Sequence, residues 1–170
     1  MKPFVFCPSC GTRLPSNRDR EGGATCSNCG RSWYLNAAPT AGAVIVSDER
    51  ALVTMRAGDP YAGKFDVPGG FLHHDEDPIT GVKREVAEEL GVEIDVGFED
   101  FLQAIPHTYG EDGDWVLALG FKARLISGVP APADDVKEVR WTTAAEIDEL
   151  DFAWEHDKEL VRKALAHEPD

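Results

Sequence analysis

Residues 70–92 read GFLHHDEDPITGVKREVAEELGV and admit little besides a capped helix entered from a glycine turn. Asp77 is a good N-cap, and Pro78 suits the first helical position, where its missing N–H has no partner to lose. Ile79, Val82, Val86 and Leu90 recur at helical spacing and make one apolar face. Gly91 supplies the left-handed stop. Glu85, Glu88 and Glu89 then stand at i, i+3 and i+4, so three carboxylates share one surface beside that face. Like charges this close repel. They are either a solvated face or the seat of a cation.

The rest of the chain limits what such a cation could serve. A length of 170 residues leaves room for one domain of about 130 residues and a small appendage. No apolar run approaches the roughly 20 residues of a membrane span. The opening MKPFVFCPSCG has no apolar signal core, so residence in the cytoplasm is expected. Net charge is −14, unevenly spread: residues 1–36 carry five basic and two acidic side chains, the remainder 12 and 29. So acidic a remainder suits divalent cations better than a nucleic-acid backbone, which requires a positive footprint.

Cys7, Cys10, Cys26 and Cys29 form C-x2-C-x15-C-x2-C and are the only cysteines. A glycine follows each pair (Gly11 and Gly30), allowing a tight knuckle whose backbone N–H groups point at sulfur. Four thiolates make a closed, structural Zn²⁺ site, and a segment this short needs the metal to fold. The alternatives are two disulfides, disfavoured in a reducing compartment, and a redox pair, for which no βαβ pattern follows. Local positive charge leaves nucleic-acid contact open as a second role for this segment.

After a junction at residues 33–39, strands are expected at 41–47 and 51–56 as a hairpin, at 65–68, as a broken pair over 92–101, at 115–126 and at 136–141. Residues 105–114 read as a loop. Thr143 and Glu146 make a capping box for a short helix through Leu150, and residues 154–167 read as a final helix. Strands interleaved with helices make this α/β, a mixed-sheet sandwich.

Gly70-x5-Glu76-x7-Arg84-Glu85-Val86-Ala87-Glu88-Glu89-Leu90-Gly91-Val92 resembles the Nudix box, G-x5-E-x7-R-E-U-x-E-E-x-G-U with U aliphatic, at every defined position. Gly81 stands where a small Ala is often found, with no penalty expected beyond helix propensity. The resemblance implies a Nudix α/β/α sandwich over residues 37–170, preceded by a zinc ribbon over residues 1–36, an architecture similar to NADH pyrophosphatases. It implies hydrolysis of a nucleoside diphosphate linked to another group, with Mg²⁺ or Mn²⁺ held by Glu85, Glu88, Glu89 and the Gly69 carbonyl. Arg84 would orient Glu85, and Glu76 would support the loop or bind a further ion. An acid six residues before a strand tryptophan joins the metal site in some members; counting back from Trp141 gives Asp135, with Asp134 and Glu138 as neighbours. The general base is Glu85 or an acid on a later loop. The resemblance also implies a homodimer.

Substrate identity is less constrained. The S-Q-P-W-P-F-P-type segment of NADH pyrophosphatases is absent: residues 103–114 read QAIPHTYGEDGD before Leu119-Gly120-Phe121-Lys122-Ala123. His107 and Tyr109 are candidates for stacking on a base or touching a ribose. His73 and His74 read as solvated loop residues, and Phe4 and Phe65 as packing residues. ADP-ribose, NADH or FAD fit best. A nucleoside triphosphate pyrophosphohydrolase and a non-catalytic nucleotide sensor remain as alternatives.

Overall fold

The computed structural model describes residues 4–16, 22–110 and 113–166. Positions 111–112 of the expected loop and His167 of the expected last helix lie outside them. Strands β1 (Ala24–Thr25) and β2 (Ser32–Trp33) pair antiparallel beside the cysteines. Eight further strands make one mixed sheet: β3 (Ala38–Ser47), β4 (Arg50–Arg56), β5 (Phe65–Asp66), β6 (Gly69–Phe71), β7 (Glu93–Asp95), β8 (Phe101–Tyr109), β9 (Asp114–Ser127) and β10 (Val136–Thr142). Two helices accompany them, α1 (Pro78–Leu90) and α2 (Glu155–Ala166).

Strand β3 holds the centre. It runs parallel to β9 from Ala38 opposite Val116 to Ile45 opposite Ala123, and antiparallel to β6 and β4. Its hairpin to β4 turns at Asp48 and Glu49, both with positive φ (48° and 60°), a turn whose twist matches that of the strands. Side chains alternate along β3: Ala43 and Ile45 pack under Val82, Val86 and Leu90 of α1, whereas Val44 packs under Leu160, Val161 and Ala164 of α2. Each fully buried Val or Leu contributes about 1.5–3 kcal/mol. The two helices therefore cover opposite faces of the sheet, giving the α/β/α sandwich.

Helix α1 is capped as its sequence requires. Asp77 Oδ1 accepts from the N–H groups of Ile79 (2.9 Å) and Thr80 (3.1 Å). Gly91, at φ 65°, donates its N–H to the Ala87 carbonyl. The last carbonyls are satisfied from a distance: Ala133 N–H donates to Glu89 O (2.9 Å) and Ala131 N–H to Leu90 O (3.1 Å). That pairing ties the loop before β10 to the end of α1.

Three local expectations change. Residues 105–109 are strand, because β8 runs to Tyr109 and pairs with β9 through Tyr109–Asp114. Pro106 is no obstacle, because among the described residues β8 pairs only with β9, and an edge strand tolerates proline. The stretch expected to be a strand pair over 92–101 has only β7 as a strand before a 3-10 turn at Phe98–Asp100. Residues 143–150 form the Thr143–Glu146 hydrogen bonds, but close only a 3-10 turn at Ile147–Glu149. A Cβ at Gly81 would stand 2.3 Å from Leu72 Cδ2, the tip of a flexible side chain that can turn aside. No described helix is long and apolar enough to cross a membrane.

Candidate active site and cysteine cluster

The four cysteine Sγ atoms all lie within 4.8 Å of one another, and all four are free thiols. Cys7 and Cys29 are 3.7 Å apart, Cys10 and Cys26 3.6 Å. Tetrahedral thiolates at a Zn–S distance of about 2.3 Å would stand about 3.8 Å apart, so the donor set fits the ion. Both knuckles share one hydrogen-bond pattern: Gly11 N–H donates to Cys7 O, Gly30 N–H to Cys26 O, and both glycines have φ 71°. Without a cation the thiols cannot all ionise. The hydrogen bond with the Thr12 hydroxyl, with help from the Thr12 backbone, pushes Cys10 down to about 6. Cys29, despite a backbone hydrogen bond at Arg31, is pushed up to about 11 by burial and its thiol neighbours.

The second site is a cavity of about 400 Å³ at the ends of β3, β4 and β6, closed by α1, β8 and the start of α2. Glu85 and Glu89 line one end, with Gly69, Gly70, Asp134 and Asp135. Gly69 N–H donates to Glu89 Oε2 at 3.0 Å. Gly70 leaves room for Glu85, whose carboxylate carbon would stand 2.5 Å from a Cβ there. The loop that satisfies the end of α1 delivers Asp134 and Asp135, and Asp135 O accepts from Ala57 N–H (2.8 Å). Burial, opposed by the Gly69 N–H and reinforced by the charges of Asp135, Asp66 and Glu85, pushes Glu89 up to about 9.

The box acids divide into two groups. Arg84 holds an outer set: it donates twice to Glu76 (2.9 and 2.8 Å), to Glu85 Oε1 (2.7 Å), to Glu88 Oε2 (3.1 Å) and to Phe71 O (3.2 Å). The Arg84 guanidinium and the His73 N–H hold Glu76 down at about 2. Glu88 is exposed and stands outside the cavity lining. Glu138 pairs with Arg140 on the surface, whereas Asp134 and Asp135 reach the cavity. His73 sits at its rim and His74 lies exposed against Asp75. Phe65 is core and Phe4 packs edge-on against Trp33.

The far end of the cavity is aromatic. Tyr109 lies nearly parallel to Trp154 at 5.5 Å, Phe71 meets Tyr109 edge-on, and His107 and His156 stand 4.3 Å apart. Among the described residues, Arg56 is the only Lys or Arg in the lining. It donates to Asp66 Oδ2 (2.8 Å) and the Tyr109 hydroxyl (3.2 Å), and its guanidinium carbon lies 5.2 Å from the Trp154 ring centroid. Asp157, buried, and Asp66, half-buried, line this end beside Gln103.

The structure brings Gly69, Glu85, Glu89, Asp135, His107 and Tyr109 to one cavity. Reading by sequence missed Arg56, Asp66, Trp154 and Asp157. Asp157 had a signal, because it shares the inward helical stripe of Leu160, Val161 and Ala164. Arg56 and Asp66 end otherwise apolar strands, a weaker sign.

With this geometry in place, residues 37–164 match the family described as the NUDIX domain. The chain belongs to the Nudix family. Among its Nudix relatives, a "MutT-like protein" of Streptomyces ambofaciens is 35% identical over 115 residues, covering 68% of this chain and 69% of that one. The "NAD-capped RNA hydrolase NudC" of Deinococcus radiodurans is 30% identical over 170 residues, covering 95% and 56%. An "ADP-ribose pyrophosphatase" of Methanocaldococcus jannaschii is 28% identical over 125 residues, covering 74% and 72%. The chain spans about half the length of the NudC relatives it matches. A solved Nudix hydrolase from Nitrosomonas europaea superposes with a TM-score of 0.77 over 96% of this chain and 91% of that one, at 22% identity, which establishes the shared fold.

Proposed function

We propose that this Nudix protein hydrolyses the pyrophosphate bond of a nucleoside diphosphate linked to a second group, such as ADP-ribose, NADH or FAD, and releases a nucleoside monophosphate. One observation carries the reading. Among the described residues, six acids (Asp66, Glu85, Glu89, Asp134, Asp135 and Asp157) and a single guanidinium line the cavity, and Glu89 is buried among that charge. Such a site repels a pyrophosphate unless divalent cations enter first. The donor set, carboxylate oxygens with a backbone at Gly69, fits Mg²⁺ or Mn²⁺. Glu85, Glu89, Asp135 and the Gly69 carbonyl would hold the ions, with Glu88 joining if Arg84 releases it. Bound there, the cations would neutralise charge on the phosphoryl oxygens and lower the pKa of a water.

The chain's own groups do the rest. Arg84 fixes the Glu85 carboxylate, and Glu76 ties Arg84 to the loop at His73. Glu85 or Asp135 accepts the proton of the attacking water. Tyr109 and His107 border the opposite end, where the nucleoside fits. Zn²⁺ at the four cysteines is structural. The cytoplasm, a homodimer and the absence of a nucleic-acid partner complete the reading. A relative named as an ADP-ribose pyrophosphatase and relatives named as NAD-capped RNA hydrolases support the dinucleotide class.

Purified protein with Mg²⁺ is expected to release AMP from ADP-ribose, NADH or FAD. Glu89→Gln should lower kcat/KM by about a hundredfold or more, since charge stabilisation by a metal site is worth several kcal/mol. Undiminished turnover by that variant, or no hydrolysis of any pyrophosphate by the wild type, would sink the reading. Release of pyrophosphate from nucleoside triphosphates instead would reassign the substrate.

A further inference from the structure

The cysteine segment contains two copies of one eight-residue unit, residues 7–14 (CPSCGTRL) and 26–33 (CSNCGRSW). Their backbones match. Cys7 N–H donates to Thr12 O and Cys26 N–H to Arg31 O, both at 2.8 Å, and the two glycine bonds are both 2.9 Å. Phe6 lies opposite Arg13 as Thr25 lies opposite Ser32. Leu14 and Trp33 therefore hold equivalent places, and both pack into one cluster with Cys7, Ala24 and Cys26. In the first unit a leucine is enough to fill the space. In the second the indole fills it and also carries an N–H, and among the described residues Trp33 Nε1 is buried without a hydrogen-bond partner. Buried donors are nearly always paired, because an unpaired one forfeits the hydrogen bond it had with water. Packing does not require this N–H, since Leu14 does without one.

The surroundings limit what can accept it. Leu14 and Ala24 have no side-chain acceptor, and the carbonyls of Cys7 and Cys26 already take the Gly11 and Gly30 N–H groups. Sulfur remains. A thiol is a weak acceptor, whereas a thiolate carries a full charge and accepts strongly, and a four-cysteine zinc site holds its sulfurs as thiolates. Of the two buried sulfurs, Cys7 is the one that responds to the indole: against burial, the N–H groups of Ser9 and Cys10 and the Trp33 side chain hold its thiol below the ordinary value. We propose that Trp33 is a positioning residue of the zinc site, its indole N–H donating to the Cys7 sulfur when that sulfur is a metal-held thiolate, and so tightening the hold on the ion. The proposal rests on the structural-zinc reading and adds to it a side chain outside the four ligands.

Co²⁺ in place of Zn²⁺ makes the contact visible, because its thiolate-to-metal charge-transfer band depends on how firmly sulfur holds its lone pairs. A hydrogen bond stabilises those lone pairs, so removing it moves the band to longer wavelength. Trp33→Phe keeps an aromatic ring and removes the N–H. In the full chain this variant should bind Zn²⁺ about tenfold or more weakly, measured by competition with a chromophoric chelator, and its Co²⁺ band should move to longer wavelength. Phe4→Leu loosens the edge-on packing on the same indole but leaves the N–H, and should leave the band in place. A band unmoved in Trp33→Phe overturns the proposal whatever the affinity, since packing alone would then explain a weaker site. A band that moves equally far in Phe4→Leu overturns it too. If Trp33→Phe takes up no metal, wild-type protein loaded with ¹¹³Cd²⁺ decides: scalar coupling between the ion and an indole N–H proton supports the contact, and its absence overturns it. A wild-type chain that binds no metal at its cysteines sinks the zinc reading and this proposal with it, whereas bound metal with an unmoved band sinks the proposal alone.

Discussion

Glu89 is the residue on which the proposed chemistry turns. Its ordinary value of 4.5 rises to about 9, first through burial, with the charges of Asp135, Asp66 and Glu85 adding to it. A folded-state value above the unfolded one means that the folded protein binds more protons through the window between them. The contribution of Glu89 to stability is therefore complete below about pH 4.5 and is lost as pH rises through about 9. Metal-free protein should lose stability across that window, and Mg²⁺ should reduce the loss by occupying the ionised carboxylate. Urea denaturation at several pH values with and without Mg²⁺ measures this. Parallel pH dependences in the two series would disconnect Glu89 from the cation. His156, pushed down from 6.5 to about 4 by burial and then by His107, works the other way: the unfolded chain binds a proton that the folded one refuses, so stability from this group rises with pH between about 4 and 6.5, and the Glu89 loss is best read above about pH 6.5.

At the scale of elements, the site is assembled by three backbone arrangements. Asp77 starts α1, the 129–135 loop satisfies its far end, and β6 lies against β3 through glycine. The first is a local contact at an exposed helix start, and Asp77→Ala should cost about 1 kcal/mol with the substrate preference intact. The third has no slack. Gly69 has φ 147°, and a Cβ there would lie 2.3 Å from Ala41 O and 2.5 Å from Gly42 Cα. Gly69→Ala must move backbone, and should cost about 2 kcal/mol or more together with most of the hydrolysis. Thermal melts beside the AMP-release assay separate the two. Equal losses from both variants would show that the β3–β6 approach has room for a Cβ. The same level explains the misread residues 105–109. The period-2 burial of Gln103, Ile105, His107 and Tyr109 comes from pairing with β9, and among the described residues the lack of a second neighbour to β8 makes Pro106 harmless.

At the scale of the molecule, two small cores lie on the two faces of the sheet, and a third cluster of Cys7, Leu14, Ala24 and Cys26 with Trp33 lies at the cysteines. That third cluster holds four buried residues and a two-stranded sheet, too little to fold unaided. The chain is expected to carry one zinc ion. Chelation, or Cys10→Ser, should unfold the cysteine segment while the larger sheet keeps its melting transition. Metal analysis and the near-ultraviolet signal of Trp33 report the first, and calorimetry the second. An unchanged tryptophan signal after zinc removal would show that the segment folds without the metal.

Local chemistry alone determined the helix from Asp77 to Gly91, the thiol set, the mixed α/β class and most strands, because caps, periodicity and ligand spacing act over a few residues. The acids Glu85 and Glu89 were legible for the same reason. Only the tertiary structure divided the box acids, drawing Glu85 and Glu88 to Arg84 and turning Glu89 to Gly69. It also placed Arg56, Asp66, Trp154 and Asp157 around one cavity. These come from β4, β5, the segment before α2 and α2 itself, and no spacing along the chain encodes their meeting. The register of β3 against its neighbours and the packing of α2 against Val44 bring them together, and both are set by burial across the whole sheet.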